Sequence, residues 1–250
     1  MTLLAPPPSL VVADIIGPTV QGEGPSAGRR CSVIRLGGCN LACSWCDSAS
    51  VWDGARYDLS AELTQRLVKN IVAEAMECSP SLVVISGGEP LLQQRHEGWA
   101  ALLDQLSAVE VEVETNGTLP PSAETLSGAT SFVVSPKLAH AGDPAWSRLV
   151  PEALQQWGAL AREGIAAWAF VVRDATDLAT VVSLAQLYEV PAAQVYVMPE
   201  GTTADGQLSS IRRLVEPALA SGLNLAPRLD VLLANPGRNS TLPIAAATTW

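Results

Sequence analysis

The chain has 250 residues, 48% of them hydrophobic and 16% charged, with a formal net charge of −10. That length suits one sizeable core in a single domain, and the absence of a basic stripe argues against nucleic acid as a partner. No apolar stretch approaches the roughly twenty residues of a membrane span, and Met1 to Pro8 lacks the basic and apolar regions of a signal peptide, so the expected compartment is the cytosol.

Residues 1–10 are Pro-rich and read as a loose arm. Val11 to Ile16 predicts a strand, followed by the Gly-rich run from Gly17 to Pro25. Such a run lets backbone approach a ligand closely, although from glycine content alone an ordinary hairpin turn is the better reading. The strand Cys31 to Leu36 then leads through Gly37-Gly38 into Cys39-Asn40-Leu41-Ala42-Cys43-Ser44-Trp45-Cys46-Asp47-Ser48. Three thiolates this close can hold three irons of a cubane cluster and leave the fourth iron open, whereas an electron carrier normally has four cysteines. A zinc site is the competing reading, but zinc wants a fourth Cys or His nearby, and His96 and His140 lie far along the chain. In a reducing cytosol five cysteines point to metal binding rather than disulfides. The remaining two, Cys31 and Cys78, read as small buried hydrophobes.

Asp58 or Ser60 can cap a helix carrying Leu63, Leu67, Val68, Ile71 and Val72 at helical spacing. Ser79-Pro80 stops it near Cys78. The buried strand Leu82 to Ile85 runs into Ser86-Gly87-Gly88-Glu89-Pro90, where bare backbone can meet a ligand and Glu89 could pair with an ammonium. A helix around Trp99 to Leu106 precedes the strand Val109 to Val113, which ends in Glu114-Thr115-Asn116-Gly117-Thr118. A short connection leads to Ser131 to Val134 and Ser135-Pro136-Lys137. The helix Pro151 to Arg162 precedes the strand Ala166 to Val172. Leu178, Val181, Val182 and Ala185 mark another helix, before Gln194 to Val197 and Met198-Pro199-Glu200-Gly201. Leu208, Ile211, Leu214, Val215 and Leu219 mark the last.

Apolar strands alternating with helices predict an α/β fold with a parallel sheet and crossover helices. About six such units make an incomplete, TIM-like barrel rather than a closed one. The polar clusters follow the carboxyl ends of strands, which share one face in such a fold, so five loops should converge on one site.

The C-x3-C-x2-C spacing resembles the signature of the radical S-adenosylmethionine (SAM) enzymes, and the Gly87-Gly88-Glu89 run resembles their Gly-Gly-Glu motif. In that family the open iron chelates SAM and an electron from the cluster cleaves it to a 5′-deoxyadenosyl radical. The segments Gly17 to Gly24, Arg35 to Cys39, Cys46 to Ser48 with Trp52-Asp53-Gly54, Ser86 to Gly88, Glu114 to Thr118 and Ser135 to Lys137 together resemble the 7-carboxy-7-deazaguanine synthase family. The resemblance runs from about Ile16 to Gly201. It implies conversion of 6-carboxy-5,6,7,8-tetrahydropterin to 7-carboxy-7-deazaguanine with loss of ammonia, on the way to 7-deazapurines such as queuosine. Its implied cofactors are a [4Fe-4S] cluster, SAM and magnesium. Its implied partners are the small pterin substrate, a reductant such as flavodoxin or ferredoxin, and a second copy in a homodimer.

Carried over by position, Cys39, Cys43 and Cys46 hold the cluster and Ser48 offers magnesium a hard hydroxyl ligand. Val20, Gln21, Gly22, Glu23, Arg35, Ser86 and Glu114 bind the pterin. Trp45, Cys46, Asp47, Gly88, Glu89, Ser135, Pro136, Lys137, Met198, Pro199 and Glu200 line SAM. For Arg35 and Lys137 a surface ion pair is the competing reading. The chain departs from the family near its end: Asp230 stands where a His is expected, within Pro227 to Asn235, and a divergent tail occupies 236–250. Two rivals remain, a radical SAM enzyme for a different small molecule and a non-catalytic iron–sulfur or zinc protein.

Overall fold

The computed structural model describes residues 6–233. Residues 1–5 of the expected arm and the divergent tail at 236–250 lie outside them. In chain order the elements are β1 (Ser9–Val20), β2 (Arg30–Leu36), α1 (Leu59–Glu62), β3 (Thr64–Leu67), α2 (Val68–Met76), β4 (Leu82–Gly87), α3 (Glu97–Gln105), β5 (Glu110–Thr115), α4 (Ala123–Gly128), β6 (Ser131–Val134), α5 (Ala145–Arg148), α6 (Pro151–Arg162), β7 (Ala166–Val172), α7 (Ala175–Leu187), β8 (Val195–Pro199), α8 (Ala204–Ala220), β9 (Asn224–Leu225) and α9 (Leu229–Leu233).

The strands form one sheet in the order β3-β1-β2-β4-β5-β6-β7-β8-β9. From β2 through β4 to β9 each strand runs parallel to the next. β1 runs antiparallel to both its neighbours. Among the described strands β3 and β9 are the two ends of the sheet, which is the open, partial barrel the alternation predicted, with one more parallel strand than the six units expected. That strand, β9, is two residues long, too short to give a sequence signal.

Side chains alternate across the strands, so each strand serves two layers. On β5, Val111 and Val113 join the main core under the helices with Trp99, Trp157 and Trp168. Burying side chains of this size contributes about 1.5–3 kcal/mol each before entropy is counted. Two of these three indole N–H groups find partners, Trp99 on Thr125 Oγ1 and Trp157 on the Leu119 carbonyl, both at 2.9 Å; among the described residues that of Trp168 has none. Glu112 and Glu114 point the other way, into the concave side, which also holds Val133, Ala169 and Met198.

Four local expectations are corrected. The arm is already strand at Ser9, and Leu10 is buried. The Gly-rich run begins inside β1, where Thr19 and Val20 pair with Cys31 and Arg30 across irregular register. The single helix expected up to Cys78 is broken: Asp58 does cap, accepting from the Ser60 N–H at 3.0 Å, but only for the four residues of α1. Thr64 to Leu67 then pair with β1 as β3, because the free edge of β1 offers ladder hydrogen bonds that outweigh helical spacing. Cys31 is fully buried as expected, but Cys78 is only partly so and lies 3.2 Å from Ser32 Oγ. Among the described residues no helix is long and apolar enough to cross a membrane.

Candidate active site

The cysteine loop leaves β2 and is pinned at both sides. The Gly38 N–H donates to the Val51 carbonyl, and the Gly38 carbonyl accepts from the Glu89 N–H, each at 2.8 Å. Residues 138–143 support its middle: the Ser44 N–H donates to the Ala141 carbonyl at 2.8 Å, and the Ala42 N–H to the Asp143 carboxylate at 3.0 Å. Leu41, Cys43 and Ala141 make a small buried cluster, with Cys39, Trp45 and Cys46 packed against it. His140, distant in sequence, lies behind this loop, its ring stacked on Trp45 at 5.5 Å and its Nδ1 3.2 Å from Asp177.

All three cysteines sit on the wall of one cavity of about 270 Å³. Burial pushes the Cys39 thiol up to about 11, opposed by the Leu41 N–H and the Lys137 charge, and the Cys43 thiol up to about 12, again opposed by Lys137. The thiolate is the form that ligates iron, so a positively charged iron–sulfur core would supply the compensation that burial withholds. N–H groups already face two of the sulfurs, Leu41 N at 3.5 Å from Cys39 and Trp52 Nε1 at 3.3 Å from Cys46, as outer contacts to cluster ligands do. Among the described residues no group of three or more His, Cys, Asp or Glu is set closely enough to hold one metal ion. A cubane instead takes each thiolate at a separate corner, and the donor set fits it.

Gly87 and Gly88 are required by close approach. Gly87 has φ +135, and a Cβ there would lie 2.1 Å from the Leu36 carbonyl oxygen; one on Gly88 would lie 2.1 Å from that of Gly38. The neighbouring Glu89 corrects an expectation. It is fully buried and accepts from Leu91 N at 3.0 Å, Thr115 Oγ1 at 2.9 Å and Asn116 N at 2.7 Å, so it ties β4 to the end of β5 and does not reach the cavity wall. Burial pushes it up to about 7 against these donors. Pro136, Pro199 and Glu200 also stay off the wall: the Pro199 carbonyl accepts from Gln207, and the Glu200 N–H donates to Val172. The end of β8 turns back onto protein there. Ser135, Lys137 and Met198 do line it, with Lys137 Nζ 2.8 Å from Ser135 Oγ and 5.8 Å from the Trp45 ring centre.

The seven residues expected to hold the substrate all line the cavity, but four of them, Gln21, Glu23, Arg35 and Glu114, already have side-chain partners within the protein. Arg35 donates through Nε to Asp14 at 2.7 Å and through Nη2 to the other carboxylate oxygen, the ion pair weighed as its alternative. Gln21 gives its two amide hydrogens to Glu112 at 2.6 Å and Glu114 at 2.8 Å, and its oxygen accepts from Gly22 N at 2.7 Å. Burial and the Glu23 charge push Glu114 up to about 7, while Ser86 and Gln21 hydrogen bonds oppose them.

Arg228 was not singled out from the sequence, where only its position two residues before Asp230 signalled it. It pairs with Glu23 at 2.8 Å, Asp47 at 2.6 Å and Asp230 at 3.0 Å. Burial alone would lower its basicity, but the three carboxylates raise it. Glu23 is raised by burial against the pull of Arg228. Asp47 is lowered, since Arg228 and the Ser48 hydroxyl outweigh burial; that hydroxyl lies 2.9 Å from Asp47 Oδ1. Among the described residues Asp230 Oδ1 is buried without a hydrogen-bond partner.

Comparisons with known proteins accord with this arrangement. A family model described as the radical SAM superfamily matches residues 33–144. The chain is 33% identical to a 7-carboxy-7-deazaguanine synthase of Pyrobaculum aerophilum, over 86% of this chain and 90% of the relative. It is 35% identical to one of Hyperthermus butylicus, over 87% and 90%. A crystal structure of QueE from Escherichia coli superposes with a TM-score of 0.62 at 21% identity, covering 88% of this chain and 93% of that one, a likeness of fold.

Proposed function

The chain belongs to the 7-carboxy-7-deazaguanine synthase family of radical SAM enzymes, and from that premise we propose that its cavity converts 6-carboxy-5,6,7,8-tetrahydropterin to 7-carboxy-7-deazaguanine with loss of ammonia. The observation that carries this reading is that Cys39, Cys43 and Cys46 open onto the same cavity as Gln21, Glu114 and Lys137.

Cys39, Cys43 and Cys46 hold the [4Fe-4S] cluster, and Trp45, Asp47, Gly88, Ser135, Lys137 and Met198 surround SAM. When bound, cluster and SAM supply one-electron hydrogen-abstraction chemistry. The residues of this chain bind and orient. Glu114 and the backbone from Val20 to Glu23 face the pterin ring, whose N–H edge suits carboxylate acceptors. Lys137 supplies positive charge on the cluster side of the cavity. Ser48, beside Asp47, offers oxygen to a magnesium ion that retains substrate or water ligands. The alternative of a non-catalytic iron–sulfur protein leaves unexplained the carboxylates Glu23, Glu114 and Asp230 that line the same cavity as the cysteines. From the family likeness, flavodoxin or ferredoxin is the reductant, the enzyme is a cytoplasmic homodimer, and the 7-deazapurine product is of the queuosine type.

The test is anaerobic reconstitution followed by turnover with carboxytetrahydropterin, SAM, dithionite and magnesium. Formation of 7-carboxy-7-deazaguanine is expected. SAM cleavage with the pterin untouched would overturn the substrate. Ser48→Ala should weaken the magnesium response more than SAM cleavage; an unchanged magnesium titration would remove that role.

A further inference from the structure

We infer that Glu112 is a positioning residue of this site: a carboxylate behind the cavity that fixes the Gln21 amide and, through it, Glu114 and the backbone at Gly22 and Glu23. Glu112 precedes Glu114 by two residues on β5, so both face the concave side. It is fully buried and does not line the cavity. Nearby positions on the same face are apolar, Leu82 and Val84 among them. A buried carboxylate there is costly unless donors meet it, and an apolar side chain would serve stability better. What it holds explains its presence.

Glu112 Oε1 accepts from Gln21 Nε2 and Oε2 from Ser26 Oγ, both at 2.6 Å, with Ser131 Oγ at 3.5 Å. Gln21 Nε2 has two hydrogens, and Glu112 and Glu114 take one each. The amide cannot be reversed, because its oxygen would then face two carboxylates. With that orientation held, Gln21 Oε1 accepts from Gly22 N at 2.7 Å and Glu23 N at 3.4 Å, which shapes the rim, and Glu114 receives a donor that sets its rotamer. The inference rests on Glu114 holding the substrate, as read above.

The experiment measures Kd for 6-carboxypterin, a stable oxidised analogue, by fluorescence titration of the reconstituted protein, with KM values for substrate and SAM. Glu112→Leu should raise the pterin Kd and KM about tenfold, the scale of one buried hydrogen-bonding group left unmatched, and leave SAM KM and iron content unchanged. Glu112→Gln should restore binding, since the new carbonyl can take the Gln21 hydrogen while the Ser26 hydroxyl turns to accept from the new amide. An unchanged Kd in Glu112→Leu, a parallel rise in SAM KM, or no rescue by Glu112→Gln would each overturn the inference. Glu114→Gln separates the two claims: if it weakens binding and Glu112→Leu does not, only the inference fails. If Glu114→Gln also leaves Kd unchanged, the reading of Glu114 fails with it. Should Glu112→Leu not fold, Ser26→Ala, away from the cavity wall, removes the donor that holds the other Glu112 oxygen; a severalfold rise in pterin Kd with SAM KM unchanged supports the inference and an unchanged Kd overturns it.

Discussion

Arg228 Nη2 lies 2.6 Å from Asp47 Oδ2, joining residues 181 apart in sequence. The contact brings the segment that begins α9 against the end of the cysteine loop. The same guanidinium also takes Glu23 and Asp230, so one cation balances three carboxylates at the cavity wall.

Arg228→Met should therefore do two things. It leaves the three acids facing one another, which costs about 2 kcal/mol, between the values for exposed and buried pairs. A melting point several degrees lower, together with a raised KM for the pterin, is the expected outcome. An unchanged melting curve would show that the acids rearrange freely.

Glu114 gives a pH dependence with a definite sign. An ordinary glutamate titrates near 4.5, and burial with the Glu23 charge pushes this one up to about 7. A folded-state value above the unfolded one means that the group's contribution to stability is fully present below 4.5 and lost as pH rises to 7. Pterin binding has the opposite slope, because the acceptor form must be ionised: affinity should grow up to about tenfold per unit below pH 7 and then level off. Titrations at pH 6, 7 and 8 check this, and Glu114→Gln should flatten both slopes.

Glu89 separates scaffold from cofactor binding. Its carboxylate is spent on Leu91, Thr115 and Asn116, so Glu89→Ala leaves buried donors unmatched and should cost about 3 kcal/mol. Glu89→Gln should lose stability and yet keep SAM KM within about twofold, less than the loss of a charge-assisted contact would produce. A large rise in SAM KM without loss of stability would restore Glu89 as a partner of the SAM ammonium.

Gly88→Ala puts a methyl 2.1 Å from the Gly38 oxygen and 2.9 Å from Cys39 Cβ. Backbone must move, and the part that moves carries the first cysteine. Iron per chain after anaerobic reconstitution should fall to about half or less, as strain of this kind is among the larger single-residue effects. Full iron content would show that the loop tolerates the shift.

Much of this was legible beforehand for physical reasons. β7 is legible from Ala166 to Val172 because a strand covered on both faces reads as an unbroken apolar run. α6 is legible because Pro151 opens it. Leu63 and Leu67 misled, since their spacing fits a helix while the open edge of β1 drew the chain into β3. α4, β9 and α9 are too short to leave a periodic trace.

By itself the sequence determined the chemistry on offer: three cysteines in one loop, and polar clusters after successive apolar strands, both of which are local patterns. The tertiary structure alone decided what each group is free to do. Glu89 turned inward, Arg35 met Asp14, Gln21 was caught between Glu112 and Glu114, and Arg228 closed on Asp47. Each of these depends on sheet register and on loops meeting across the barrel, and side-chain partners set at that distance along the chain leave no mark in residue order.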